Sequence, residues 1–183
     1  MFFRGFIRWL QDDGATAAVE AAFLFPFLML VLCGTIDTGL ALVTNQKVTN
    51  ATQTVSDLLT REIQATPGDI DDAIIAGRMA MMPYPTTSYG ADIASIKFIG
   101  TTKVPTVQWR RTFNMDANAE VTARTEGLGA QNEGVLAVTV RYVFTPVFTS
   151  YFGAPIVMKI ESFARGRKVA TGYIPCSTGG SSC

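Results

Sequence analysis

The longest hydrophobic stretch of the chain runs from Ala17 to Val43 and contains few charged residues. No charged residue occurs between Ala21 and Ile36, and apolar residues resume after Asp37. A helix of this length covers the hydrocarbon core of a bilayer, which is about 30 Å thick. An isolated segment can satisfy its backbone in lipid only as a helix. The pattern therefore predicts one transmembrane helix.

Beyond Asp37 the apolar residues recur at steps of three and four, which is the spacing of an amphipathic helix. This stripe consists of Leu40, Val43, Val48, Ala51, Val55, Leu58 or Leu59, and Ile63. Neither glycine nor proline occurs from residue 41 to residue 65. We therefore expect a single helix from about residue 15 to residue 64, with its stripe packed against the rest of the chain.

A shorter second helix is predicted to begin after Thr66. Thr66 can cap it, Pro67 suits the first helical position, and Asp69 favours the positive end of the helix dipole. The helix should end before Pro83. Its predicted apolar face consists of Ile70, Ala73, Ile74, Gly77 and Met81.

After this helix the hydrophobic period changes to two, which is typical of strands. Four short segments rich in β-branched and aromatic residues follow, at residues 93–99, 107–113, 136–144 and 156–163. Helices followed by strands predict an α+β fold with an antiparallel sheet of about four strands. We expect the long helix to pack its stripe on one face of this sheet.

These elements divide the chain into five segments. The part outside the anchor has roughly 140 residues, which is the size of one ordinary domain. The segments are a leader at 1–14, a transmembrane helix at 15–43, a helical stalk at 44–65, an exported α+β domain at 66–175 and a tail at 176–183.

Basic residues near the span predict its orientation. Arg4 and Arg8 precede the span, whereas Lys47 is the nearest basic residue after it. This excess predicts a cytoplasmic N-terminus and an exported C-terminal domain. A cleaved signal peptide is the alternative, but its apolar region should measure about 7 to 15 residues. The longer stretch here favours an uncleaved anchor, and residues 1–10 are either a segment lying in the headgroup region or a hydrophobic leader.

Composition argues against an enzyme. The chain contains no histidine, which excludes His-dependent triads and His-ligated metals. Nucleotide-binding loops and CxxC motifs are also missing from the sequence. Asp69, Asp71 and Asp72 lack the rest of a calcium loop, so a solvated helix start is the favoured interpretation. We expect no catalytic, metal or cofactor site.

Charge argues against a nucleic-acid partner. Fifteen Lys and Arg residues balance fifteen Asp and Glu residues, which gives a net charge of zero. The Arg110-Arg111 pair beside Trp109 is isolated, so it does not make a nucleic-acid interface.

Two cysteines close to the end of the chain suggest an oxidising compartment. Cys176 and Cys183 bracket six small polar residues and could form a disulfide after export. Two free thiols are the alternative. Cys33 lies inside the apolar segment and is expected to act as a small buried hydrophobic residue.

The N-terminal part of the chain also carries a recognisable motif. Its parts are Gly14, the run Ala17-Ala18-Val19-Glu20, Pro26, the run Gly34-Thr35-Ile36-Asp37-Thr38-Gly39, and the polar helix at Val48-Thr49-Asn50-Ala51. Over roughly residues 14–60 the chain resembles the TadE/TadG-like family, whose members are pseudopilin-like or minor-pilin-like components of the bacterial tight-adherence, Flp-type pilus system. The strand-rich part resembles this family only in style.

The resemblance implies a role in assembling or capping adhesive pili at the cell envelope. Implied partners are the lipid bilayer, other pilin-like subunits, the pilus assembly machinery and a prepilin peptidase that cleaves between Gly14 and Ala15. The protein would lie in the bacterial inner membrane with its domain in the periplasm, or enter an extracellular pilus. Glu20 stands six residues after Gly14, where the family's glutamate usually stands five after the cleaved glycine. Asp12 and Asp13 also stand where a basic residue is commoner, so processing and permanent anchoring both stay open.

The resemblance also implies that Glu20, Pro26 and Asp37 serve helix assembly. Glu20 would pair with the free N-terminal amine of a neighbouring subunit and set the register of the two helices. Pro26 removes a helical hydrogen bond and could let the helix loosen on leaving the bilayer, although membrane helices also tolerate proline. Glu20 and Asp37 are about 25 Å apart along the helix, so both could instead rest at the two interfaces and pair with nothing. A membrane-tethered binding domain outside any filament is the alternative function.

Overall fold

A single long helix, α1, forms the N-terminal part of the protein. The structure is a computed structural model that describes residues 13–148, 154–178 and 183. Within this part of the chain, α1 spans Asp13–Thr60 without a break and contains Pro26. The prediction of one continuous helix through the apolar stretch and the amphipathic stripe is confirmed.

The helix ends four residues earlier than the sequence predicts because other backbone groups bind its C-terminal end. The carbonyl oxygen of Thr60 accepts a hydrogen bond from the Arg167 N–H at 2.8 Å. Ala65 then forms a parallel β-bridge with Cys176, in which the Ala65 N–H donates to the Pro175 carbonyl at 2.9 Å. Residues 61–64 are a non-helical turn that leads from the end of α1 into this bridge.

The second helix, α2, spans Pro67–Ala80, and its N-terminus is built as predicted. The Asp69 N–H donates to the Thr66 hydroxyl at 3.1 Å, and the Asp69 carboxylate accepts from the Thr66 N–H at 2.9 Å. This reciprocal capping box satisfies two backbone donors that the first helical turn leaves unpaired. The hydrogen bonds from the Thr66 hydroxyl and N–H lower the pKa of Asp69.

The rest of the fold is one antiparallel sheet, which confirms the α+β prediction. The spatial order of its strands is β2-β1-β3-β4. A one-turn helix, α3, spans Val121–Arg124 between β2 and β3, and the sequence pattern did not predict it. The strands are β1 at Gly90–Ile99, β2 at Val104–Phe113, β3 at Gly134–Phe144 and β4 at Ile156–Ala164.

The predicted stripe on α1 is only partly correct. Val48, Ala51, Val55 and Leu59 are buried, whereas Val43 is 47% exposed. Ile63 is 63% exposed because the helix has already ended. Small polar residues occupy the remaining buried positions of the stripe, and a pattern of apolar residues does not reveal them. They are Thr44, Thr52, Ser56 and Thr60.

Close packing joins both helices to the start of β1. Gly77 of α2 is buried, and a methyl group in its place would overlap the Tyr89 hydroxyl and Val55 of α1. Tyr89 directly precedes β1 and is fully buried, and this burial raises the pKa of Tyr89. Glycine at position 77 therefore permits the close approach.

The chain divides into two compact units. One comprises the described residues up to Ala41 together with those between Pro146 and Ala154, and the other comprises Leu42–Thr145 and Pro155–Cys183. The sheet, α2 and the buried stripe of α1 belong to the second unit.

Candidate functional site

The first half of α1 presents an extended and largely apolar exposed surface. Phe23 is 81% exposed, and the other large side chains of this segment are at least 42% exposed. Among the described residues, α1 is the one helix long and apolar enough to cross a membrane. An exposed apolar surface of this extent indicates contact with lipid or with a partner. The exposed residues are Val19, Phe23, Leu24, Phe25, Phe27, Leu28, Met29, Leu30, Val31 and Leu32.

Two threonine hydroxyls near the end of the exposed apolar segment are satisfied locally. The Thr35 hydroxyl donates to the Val31 carbonyl at 2.8 Å, and the Thr38 hydroxyl donates to the Gly34 carbonyl at 2.7 Å. Such bonds to the preceding turn let threonine lie in an apolar environment without an unpaired donor. The threonines are therefore compatible with a single-pass membrane anchor.

The structure places the predicted assembly residues at different points along α1. Gly14 and Ala15 lie in its first turn, so the predicted cleavage bond is within the helix. Glu20 is exposed, and Pro26 lies in the exposed apolar segment. Asp37 is seventeen residues after Glu20, about 25 Å along the helix. The two carboxylates therefore do not form one site.

Asp37 is buried and has backbone partners 110 residues away in sequence. Its side chain is 5% exposed. One carboxylate oxygen accepts from the Val147 N–H at 2.9 Å, and the Phe148 N–H lies 3.2 and 3.1 Å from the two oxygens. The alternative that Asp37 pairs with nothing is therefore wrong. The segment Pro146–Phe148 follows β3, so sequence spacing gave no signal of this contact.

The C-terminal end of the chain belongs to the second unit and contacts its sheet. Cys176 and Cys183 form a disulfide with their Cα atoms 5.7 Å apart. The Ile174 carbonyl accepts from the Trp109 indole N–H at 2.8 Å and from the Ser95 hydroxyl at 2.9 Å.

Cys33, a free thiol on α1, is partly exposed rather than buried.

A group of five polar side chains, which we call the sheet-face cluster, was not identified from the sequence. The register pairs Asp92 with Thr139 and Thr139 with Glu161, so these residues form a row across β1, β3 and β4. The available signal in the sequence was the pair Lys159 and Glu161, a base and an acid two positions apart on β4 and therefore on the same face of the sheet. The cluster consists of Asp92, Arg110, Asn118, Lys159 and Glu161.

Asn118 connects the sheet-face cluster. Its N–H donates to Asp92 at 2.8 Å, and its side-chain amide donates to Glu161 at 2.8 Å. The Lys159 ammonium donates to the Asn118 amide oxygen at 2.8 Å. Arg110 lies 3.0 Å from Asp92 and also donates to the Asn118 carbonyl at 2.8 Å. These contacts hold the segment before α3 against the sheet.

Burial dominates the electrostatics of Asp92, whose side chain is 1% exposed. Burial raises the pKa of Asp92, while the Asn118 N–H and the Arg110 guanidinium oppose the shift. Two other charged residues singled out in the sequence, Arg111 and Asp71, also bind each other. Arg111 pairs with Asp71 at 3.0 Å on the surface. No group of three potential metal ligands occurs among the residues that the structure describes.

The fold and the exposed helix define a protein with one N-terminal apolar helix, suited to a single-pass membrane anchor, and an α+β domain. Residues 15–57 match the model of the family described as TadE-like protein. The match confirms the resemblance and lies within α1, so the N-terminal helix of this chain is TadE-like. Searches of curated proteins and of solved structures returned no match to the chain.

Proposed function

We propose that this protein is a pilin-like component, a minor pilin or pseudopilin, of a bacterial tight-adherence, Flp-type pilus and secretion system. The TadE-like segment implies an association with this pilus system. The observation that carries the finer proposal is that this segment includes the exposed apolar part of α1. The helix would serve both as a membrane anchor and as the surface that joins other subunits.

Glu20 is the residue that makes α1 suited to assembly. Its side chain is exposed, so a neighbouring helix can reach the carboxylate. A charged residue such as Asp costs about 2.5 to 3.5 kcal/mol at the centre of a membrane helix, and less near an end. Pairing with an amine of another subunit would offset this cost only when the two helices are aligned. Glu20 would therefore set register as well as affinity.

Cleavage and permanent anchoring are both consistent with the sequence. A prepilin peptidase acting after Gly14 would free the amine of Ala15, five residues before Glu20. Without cleavage the chain stays anchored and acts as an accessory of the assembly machinery. In both cases the anchor lies in the inner membrane with a cytoplasmic N-terminus and a periplasmic domain.

The second unit would act outside the membrane without catalysis. The charged groups of the sheet-face cluster bind one another and the backbone, which supports a structural role for them. A disulfide between Cys176 and Cys183 suits an oxidising compartment such as the periplasm. We propose a protein that is not an enzyme and needs no cofactor, with the bilayer and other pilus proteins as partners.

Photo-crosslinking in cells that build the pilus tests this proposal. A benzophenone amino acid replaces Phe23, the most exposed of the large apolar residues on α1, and a matched variant carries it at Thr102, in the exposed turn between β1 and β2. We expect position 23 to form adducts with the N-terminal helix of a pilin-like subunit, whereas position 102 should not. These adducts should disappear in the Glu20→Ala background.

Adducts with lipid alone at position 23 would contradict the assembly role and favour a simple tether. If adducts at position 23 persist without Glu20, α1 is still an assembly surface but Glu20 is not required for it. Mass spectrometry of the crosslinked peptides distinguishes these results and also shows whether the chain begins at Met1 or at Ala15.

A further inference from the structure

The contact between Asp37 and the segment after β3 points to a second place where this protein touches the bilayer. Asp37, Val147 and Phe148 belong to the same compact unit. The Asp37 carboxylate accepts hydrogen bonds from the backbone N–H groups of Val147 and Phe148, whereas the side chains of these two residues are exposed. Val147 is 60% exposed, Phe148 is 46% exposed, and Ile36 beside Asp37 on α1 is 41% exposed.

The position of Asp37 along α1 fixes the depth of this contact. Glu20 and Asp37 flank the charge-free stretch, whose midpoint lies near Leu28. At 1.5 Å per residue, each carboxylate is about 13 Å from this midpoint. Half of the hydrocarbon core measures about 15 Å. With the stretch centred in the bilayer, Asp37 therefore lies at the edge of the core.

At this depth the Asp37 carboxylate and the two backbone N–H groups satisfy each other's need for hydrogen bonds. An unpaired carboxylate and unpaired N–H groups are both costly where water is scarce. The two N–H groups give the carboxylate its hydrogen bonds, and the carboxylate satisfies the N–H groups of a non-helical segment. The segment can thus approach the hydrocarbon without an unsatisfied backbone donor.

The exposed side chains suit the same location. A valine and a phenylalanine that remain exposed next to an apolar helix extend the surface that this helix offers to lipid. Aromatic side chains are enriched where the headgroups meet the hydrocarbon. The exposed apolar surface of α1 and the exposed pair after β3 therefore favour the same partner.

We propose that Val147 and Phe148 insert at the boundary between the headgroups and the hydrocarbon core of the bilayer, with Asp37 holding their backbone in place. This inference rests on the membrane anchor in the proposed function, and it adds a second, separate membrane contact. It assigns Asp37 an intramolecular positioning role, distinct from the intermolecular role of Glu20.

Site-directed spin labelling of the full-length chain tests this contact. The chain is reconstituted in vesicles of phosphatidylethanolamine and phosphatidylglycerol after Cys33→Ser removes the free thiol. Single labels are attached through Phe148→Cys, Leu28→Cys or Thr102→Cys. Collisions of each label with oxygen, which concentrates in lipid, are compared with collisions with a water-soluble nickel complex.

We expect oxygen collisions to exceed nickel collisions at positions 148 and 28, and the reverse order at position 102. Adding Asp37→Ala should reverse the order at position 148 and leave position 28 unchanged, because the anchor persists while the segment loses its acceptor. Insensitivity of position 148 to Asp37→Ala would overturn the positioning role of Asp37.

Three further results would overturn the lipid contact, and each has a different meaning. Nickel-dominated collisions at position 148 with oxygen-dominated collisions at position 28 would leave the anchor and remove the second contact. Exclusion of both reagents from position 148 would show that protein, not lipid, covers this surface. Nickel-dominated collisions at both positions would contradict the membrane anchor of the proposed function itself.

Discussion

Replacing Glu20 by alanine is expected to abolish pilus assembly while the protein stays in the membrane. The substitution removes a charge from an otherwise apolar segment, so the helix becomes easier to insert. A loss of pili therefore cannot result from failed insertion. It would result from the loss of the carboxylate that aligns α1 with a neighbouring helix. Electron microscopy of the cells counts the pili, and membrane fractionation measures insertion.

Two matched variants sharpen the Glu20 experiment. Glu20→Gln keeps the size of the side chain without its charge, and we expect it to lose pili as Glu20→Ala does. Glu126→Ala removes an exposed carboxylate outside the membrane helix and should leave piliation unchanged. Normal pili in the Glu20→Ala cells would remove the main support for an assembly role of α1.

Replacing Asp92 by alanine is expected to destabilise the second unit by about 3 kcal/mol, in the range for loss of one partner of a buried ion pair. The substitution leaves Arg110 and the Asn118 N–H without the carboxylate that binds both. We expect the lower part of that range because the Arg110 side chain is 23% exposed and keeps its bond to the Asn118 carbonyl.

Asp71→Ala is the control, since it breaks an ion pair of the same type on the surface. The side chains of Arg111 and Asp71 are 41% and 51% exposed, and such pairs contribute at most about 1 kcal/mol. Chemical unfolding of the full-length chain in detergent measures both variants. Equal effects of the two substitutions would show that the sheet-face cluster stabilises the fold no more than a surface ion pair does.

Most of the secondary structure was predictable because each element except the one-turn helix α3 has a clear local signal. The apolar stretch and stripe predicted one long helix, the Thr66–Asp69 pair predicted the start of α2, and a period of two predicted four strands. The end of α1 was not predictable, since it depends on Arg167 and Cys176, which contact it from far along the chain.

The polar contacts required tertiary structure. Asp37 was visible as a charge at the end of an apolar segment, but its partners are 110 residues away and are backbone N–H groups, which any sequence supplies. Asp92 and Glu161 become part of one cluster only through the strand register. The cluster also requires β3 to lie between β1 and β4, and the period of each strand contains no information about the order of the strands.

Replacing residues 1–43 by an unrelated transmembrane helix tests most directly whether α1 is more than a tether. The foreign helix carries an aspartate at position 37, so that the Val147 and Phe148 N–H groups keep their acceptor. We predict that this chimera inserts into the membrane and folds, but that cells producing it in place of the natural protein build no pili. Normal pilus assembly with the foreign helix would contradict the proposed role of α1.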